Sequence, residues 1–159
     1  MARSRLTKRT WPKISAVASR KLADALTKGV REVRVAGAAK LDHGCAVPFS
    51  FADADGDVTQ GFIMRYTEGP VDALVAYRNW CPHIGTDLDM GTERFYSRNV
   101  NRIYCRTHGA RFQVITGVCD FGPCVGLHLE AYALRVDGDD VVVTVSKDTE
   151  SADASAADS

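Results

Sequence analysis

Four side chains in this sequence have the types and spacing to hold a metal centre between them. Cys81 and His83 stand two positions apart, and after an interval of 21 residues come Cys105 and His108. Two thiolates and two imidazoles suit a 2Fe–2S centre in which one iron takes both sulfurs and the other both ring nitrogens. The same set suits a tetrahedral zinc ion. The four residues alone leave both chemistries open. There is no Ser/His/Asp grouping, phosphate-cradling glycine loop or HExxH pattern beside them, and no catalytic residue is assigned. His43, in LDHGC, and His128, at the head of an apolar run, read as solvated or hydrogen-bonded histidines without a role.

The surroundings of the four are more specific than the four themselves. The first pair lies in CPHIGTDLDMG, residues 81–91, and the second in IYCRTHGARFQVITG, residues 103–117; Gly122-Pro123 follows. In these three segments the chain resembles the Rieske family. That family's loops read Cys-x-His-x-Gly-x-x-Leu-x-x-Gly and Cys-x-x-His-Gly-x-x-Phe with a following Thr-Gly, and its proline loop covers the cluster. The resemblance runs over residues 72–145, about half of the chain. It implies one Rieske-type 2Fe–2S cluster held by Cys81, His83, Cys105 and His108. Degenerate relatives without a cluster lose these ligands, whereas all four are present here. One departure is the interval between the loops, which is a few residues longer than the family's usual spacing. The surplus is expected in GTERFYSRNVN, residues 91–101, a polar stretch without apolar alternation that reads as a lengthened surface hairpin tip. Such lengthening costs little, because closure entropy grows slowly with loop length.

Mixed ligation leaves an oxidised cluster neutral when both imidazoles are neutral, so it accepts an electron more readily than an all-cysteine one. Centres of this kind span roughly −150 to +300 mV, set in part by hydrogen bonds to the sulfurs. In the high-potential respiratory members, a serine two residues and a tyrosine four residues after the second histidine supply such bonds. Here those positions are Ala110 and Phe112. Those members also join the two loops by a disulfide, at positions occupied here by Thr86 and Thr107. The resemblance therefore implies a low-potential centre.

At 159 residues, 45% of them hydrophobic, the chain is long enough for one domain with a buried core. Its net charge is zero but unevenly spread. Residues 1–40 hold 11 Lys/Arg against 2 Asp/Glu, and the remainder holds 9 against 18. The apolar run at 14–30 is interrupted by Arg20, Lys21, Asp24 and Lys28, too many charges for a membrane span or a secretory signal. It reads instead as a basic amphipathic helix closed by Gly29. The tail KDTESADASAADS has nothing to bury and is expected to be disordered. Five cysteines, an odd number, suit a reducing compartment. Cys119 and Cys124 read as small buried thiols, not ligands, and Cys45 is unassigned.

The elements that must position the four residues read as short β-strands. Candidates lie at 31–37, 46–52, 60–67, 72–79, 102–105, 111–115, 128–136 and 140–145, with tight turns at Asp55-Gly56 and Asp137-Gly138. Asp53-x-Asp55-Gly56-Asp57 resembles the start of a calcium loop, but Met64 stands where its glutamate would be, so a hairpin turn is expected. By itself the strand pattern says all-β, sandwich or barrel. The resemblance implies a Rieske-like antiparallel β-sandwich with an inserted small cluster-binding subdomain. The expected organisation is a basic arm or helix over 1–31, a Rieske domain over 32–146 with its cluster-binding subdomain at about 80–125, and a disordered acidic tail over 147–159.

These expectations describe a cytoplasmic, ferredoxin-like one-electron carrier that is not an enzyme in its own right. It would take electrons from a reductase and pass them to a terminal oxygenase or similar acceptor. No nucleic acid or membrane span is expected, and an acidic partner would suit the basic arm. Two alternatives differ in class: a redox-sensing or accessory subunit of a larger redox complex, and a structural zinc module.

Overall fold

The computed structural model describes residues 30–53 and 55–146. The expected helix over 14–30 and the acidic tail lie outside this range, apart from Val30, which opens the first strand. Ten strands are present among the described residues: β1 (Val30–Val35), β2 (Ala46–Ala52), β3 (Val58–Glu68), β4 (Val71–Arg78), β5 (Tyr96–Ser97), β6 (Arg102–Tyr104), β7 (Arg111–Phe112), β8 (Cys119–Phe121), β9 (Ala133–Asp137) and β10 (Asp140–Ser146). A short 3-10 turn at Ala38–Lys40 follows β1. The fold class is therefore all-β, and every pairing is antiparallel.

The strands form three sheets, ordered β1-β10-β9, β2-β3-β4 and β5-β6-β7-β8. Alternation decides what each buries, since successive side chains of a strand point to opposite faces. Val141, Val143 and Val145 of β10 meet Phe49 of β2, Ile63 of β3 and Ala76 of β4 in one core, with Tyr132 beside them. The opposite face of β3, carrying Phe62, Met64 and Tyr66, enters a second core with Tyr77, Leu88, Ile103, Phe112 and the sulfurs of Cys81 and Cys105. β3 is thus buried on both faces. Opposite Phe49 stands Gly61, and the Phe49 ring lies so close over it that a Cβ there would meet the ring at 2.5 Å.

The turns follow their sequence signals. In the β2–β3 hairpin the Asp53 carboxylate accepts the Asp55 and Asp57 amides at 3.0 and 2.9 Å, a turn and not a cation loop. Gly138 closes the β9–β10 turn with φ 64°.

Three expectations are corrected. The 91–101 stretch is not merely a surface tip: Phe95 is 2% exposed and stacks on Phe62 with ring centroids 4.0 Å apart, and Tyr96–Ser97 form β5. A single phenylalanine has no periodicity to reveal this; the tertiary stacking decides it. Tyr96 also lies 3.2 Å from His43 Nε2, whose Nδ1 accepts the Thr67 amide at 3.0 Å. The strand expected at 111–115 stops at Phe112, because Gln113 turns to pair with Val118. The run 128–136 is not one strand. Its first part spends its backbone groups on isolated bridges, His128 to Val118 and Ala131 to Tyr77, and only 133–137 joins a ladder.

Removing the stacked ring tests the second core. Phe95→Ala is expected to cost about 3–5 kcal/mol, as for a large aromatic deleted from a packed interior. Val58→Ala, at a site 71% exposed, should stay within about 0.5 kcal/mol. Urea midpoints of the two variants check this.

Candidate metal centre

The two cysteine–histidine pairs sit in turns of the same backbone build. In the first, the Cys81 amide donates to the Thr86 carbonyl at 2.7 Å and the Gly85 amide to the Cys81 carbonyl at 3.0 Å. In the second, the Cys105 amide donates to the Ala110 carbonyl and the Gly109 amide to the Cys105 carbonyl, both at 2.9 Å. Gly85 and Gly109 have φ 75° and 71°, left-handed values that a side chain rarely adopts. At Gly85 a Cβ would also meet the Trp80 ring at 2.3 Å. The Arg106 amide donates to the Leu88 carbonyl at 2.9 Å and ties the second turn to the first. A third turn of this build, Gln113–Val118, carries no thiol or imidazole. Tyr77 of β4 holds it, donating its hydroxyl to the Val114 carbonyl at 2.9 Å, and burial pushes that phenol up to about 12.

The structure brings the sulfurs together and the imidazoles together. Cys81 and Cys105 are fully buried in the same core. Burial is the main influence on the Cys81 thiol and pushes it upward; the His83 amide opposes this and Cys105 adds to it. Burial disfavours the free thiolate at Cys81, and a bound metal would offset that charge. The His83 and His108 rings lie 4.9 Å apart between centroids, at 78°. Both Nδ1 atoms are buried without a hydrogen-bond partner, as is Thr86 Oγ1. A buried nitrogen without a partner costs about 1–3 kcal/mol, and ligation of a metal is one way to satisfy it. Among the described residues, no three His, Cys, Asp or Glu side chains group as ligands of a single ion.

Two further residues position the first turn and escaped the sequence reading. Asn79, at the end of β4, accepts the Leu88 amide at 2.9 Å and donates to Asp89 Oδ1 at 2.8 Å. Asp89 Oδ2 accepts the Glu93 amide at 2.8 Å. Both residues are buried. Burial raises the Asp89 carboxyl, but the bonds from Asn79 and from the Glu93 amide outweigh it and hold the group below its ordinary 3.8. Nothing in a lone Asn or Asp announces burial, so no sequence signal marked this pair. The other two histidines are elsewhere: His43 is committed to Thr67 and Tyr96, and His128 is exposed in its bridge to Val118. Cys45 is exposed, Cys119 and Cys124 are buried, and all five cysteines are free.

An antiparallel β-sandwich with two cysteine–histidine turns at one end belongs to a class of iron–sulfur domains with mixed ligation. The Rieske [2Fe-2S] domain matches residues 32–133, and the chain belongs to this family. The ferredoxin of carbazole 1,9a-dioxygenase from Nocardioides aromaticivorans IC177 is 35% identical over 70% of this chain and 95% of its own, with a TM-score of 0.50. A protein assigned as the small subunit of an NADH-dependent nitrite reductase from Mycobacterium tuberculosis, 18% identical over 73% of this chain and 96% of its own, shares the fold with a TM-score of 0.51. No curated protein sequence matches the chain. The cofactor of the domain is a Rieske-type [2Fe-2S] cluster, and the residues fit it: two dry thiols and two imidazoles whose buried Nδ1 atoms lack partners.

Asp89→Ala removes the acceptor for both Asn79 and the Glu93 amide and should cost about 1–3 kcal/mol. Because the folded carboxyl titrates below 3.8, its stabilisation is complete above that value and is lost as the pH falls through the lower, folded value. Urea midpoints followed down from neutral pH should show the gap between the parent protein and the variant closing only in acid.

Proposed function

We propose that this chain is a one-electron carrier, with Cys81 and Cys105 on one iron and His83 and His108 on the other. The observation that carries the reading is the pair of buried, partnerless Nδ1 atoms beside two buried sulfurs on matching turns. When bound, the cluster supplies a site that takes up and gives back one electron. The chain keeps the sulfurs dry, under Leu88, Ala110 and Phe112, and leaves the histidine rings partly exposed. Electrons would pass at that histidine edge, where Ile84, next to His83 in sequence, is 60% exposed.

Residues of about 80–125 serve in this reading as a cluster-binding subdomain between β4 and β9. The potential is low for its type, because Ala110 and Phe112, both fully buried, offer the sulfurs no hydroxyl. The likeness to a dioxygenase ferredoxin across nearly all of that protein supports a place between a reductase and an oxygenase or similar acceptor. It also favours a carrier over a catalytic enzyme. No described helix is long and apolar enough to cross a membrane, and five free thiols accord with a reducing, cytoplasmic setting.

Metal analysis and EPR of anaerobically purified protein test the assignment. Two irons per chain and a rhombic signal of low average g, appearing on reduction by dithionite, are expected. His108→Ala should lose that signal while far-ultraviolet circular dichroism keeps its β-sheet form. One zinc per chain with no signal would overturn the reading.

A further inference from the structure

Two arginines project from the face of β6 and β7 that turns away from the core, and only one of them has a carboxylate. Ile103, Phe112 and Cys119 point inward, so Arg102, Tyr104 and Arg111 lie on the outer face. Arg102 pairs with Asp120 at 2.7 Å. Arg111 stands in register with Tyr104 of β6 on one side and Phe121 of β8 on the other. Its guanidinium lies 4.2 Å over the Phe121 ring. Among the described residues Arg111 makes no salt bridge, and its Nε is buried without a hydrogen-bond partner. The other arginines of the described strands all have acceptors: carboxylates for Arg34, Arg65, Arg78 and Arg135, and the Ala52 carbonyl for Arg31. Stacking on a ring serves the flat face of a guanidinium and leaves the N–H donors around its edge without an acceptor. The row also adjoins the proposed transfer edge. A Cβ on Gly109, the residue after His108, would lie 3.6 Å from the Tyr104 hydroxyl.

We propose that Tyr104, Arg111 and Phe121 form the docking point for a surface carboxylate of an acidic redox partner. The inference rests on the carrier reading above and deepens it by naming the partner's chemistry. Charge selects the occupant. A half-buried cation without a counter-charge attracts an anion, and the planar guanidinium matches a carboxylate with two parallel hydrogen bonds. Asp120, the acid that reaches this face, is already committed to Arg102, so the negative group comes from outside. The rings supply the rest of the site. Phe121 is 54% exposed, and covering it against a partner removes water from around the ion pair, which strengthens the attraction. Arginine and tyrosine are also the residue types in which interface energy concentrates. A partner held here sits beside the turn that carries His108, close to where the electron would pass.

The test is stopped-flow reduction of cluster-loaded, full-length protein by a reduced plant-type ferredoxin, an acidic low-potential donor that serves as the probe. At low salt, Arg111→Gln should lower the second-order rate about tenfold, with the midpoint potential unmoved. Arg111→Lys keeps the charge but not the planar fork and should fall between the two. Near 1 M salt, where screening acts within about 3 Å, the gap should close; a purely structural role for Arg111 would leave it open and overturn the proposal. Arg135→Gln, whose charge is paired with Glu32 in another sheet, is the control for net charge. An unchanged rate in Arg111→Gln overturns the proposal, and so does an equal fall in Arg135→Gln. Should Arg111→Gln fail to load, Phe121→Ala decides at an exposed position: a several-fold slower rate is expected, and the parent rate overturns the proposal. Neutralising Asp148, Glu150, Asp153 and Asp158 tests the chain's own tail as the occupant. A rate that then rises only when Arg111 is present overturns the proposal in favour of the tail. A parent protein without two irons or a rhombic signal would instead sink the ligand assignment.

Discussion

A strand that serves two cores must satisfy both at once, and β3 is in that position. Phe62, Met64 and Tyr66 face one core while Ile63, between them, faces the other. A slip of one residue would exchange the two faces, placing Gly61 and Ile63 where Phe95 now stacks. The register with β2 and β4 therefore fixes more than the sandwich. It sets where β4 ends, and Asn79, Trp80 and Cys81 follow directly from that end. The site is placed by the wall between the cores.

The sulfurs proposed as ligands share the core with Phe62, Phe95 and Ile103, so the centre is part of the interior and not an attachment to it. Without a metal, that interior holds four thiols, from Cys81, Cys105, Cys119 and Cys124, which pack as small hydrophobes. With one, two of them become thiolates in the same dry surroundings. Metal binding and the order of this half of the molecule are then linked, because a site of deprotonated ligands releases protons as it fills and exists only in the folded chain. The backbone prepares for this independently of the chemistry. The same turn occurs three times, at Cys81, Cys105 and Gln113, with a left-handed glycine four residues on in each. Shape and donor set are thus separate inheritances. The third turn has the shape alone and is used by Tyr77 as an anchor.

Much of this was legible in the sequence, for identifiable reasons. Cys81, His83, Cys105 and His108 stand out because two residue types with few other uses recur at close spacing with glycine after each pair. β2, β3, β4 and β10 were legible because their length or alternation exceeds what a loop tolerates. The positions that escaped depend on contacts distant in sequence. Phe95 is one aromatic in a polar stretch and acquires meaning only from Phe62. Asn79 and Asp89 are polar residues made tolerable inside by each other, which neither shows alone. The 128–136 run has the composition of a strand, but its partners, Val118 and Tyr77, lie on different elements, so no single ladder forms. The two spare thiols could be read as buried, yet their 3.1 Å approach to each other belongs to the fold of the loop after β8.

Burial and hydrogen bonding act in opposite senses on such a centre. Dry surroundings resist any added charge, because solvation by water is replaced by a poorly polarisable interior. Leu88, Ala110 and Phe112, each fully buried, press in that direction. Neutral imidazoles, in the ligand roles proposed for His83 and His108, would act against it by keeping the oxidised state uncharged, as would donors aimed at the sulfurs. At the positions where the resemblance places the hydroxyls of high-potential relatives, this chain has Ala110 and Phe112, both fully buried. On the proposed ligand set, burial without such hydroxyl donors would favour a loosely held electron, in keeping with the low potential proposed above.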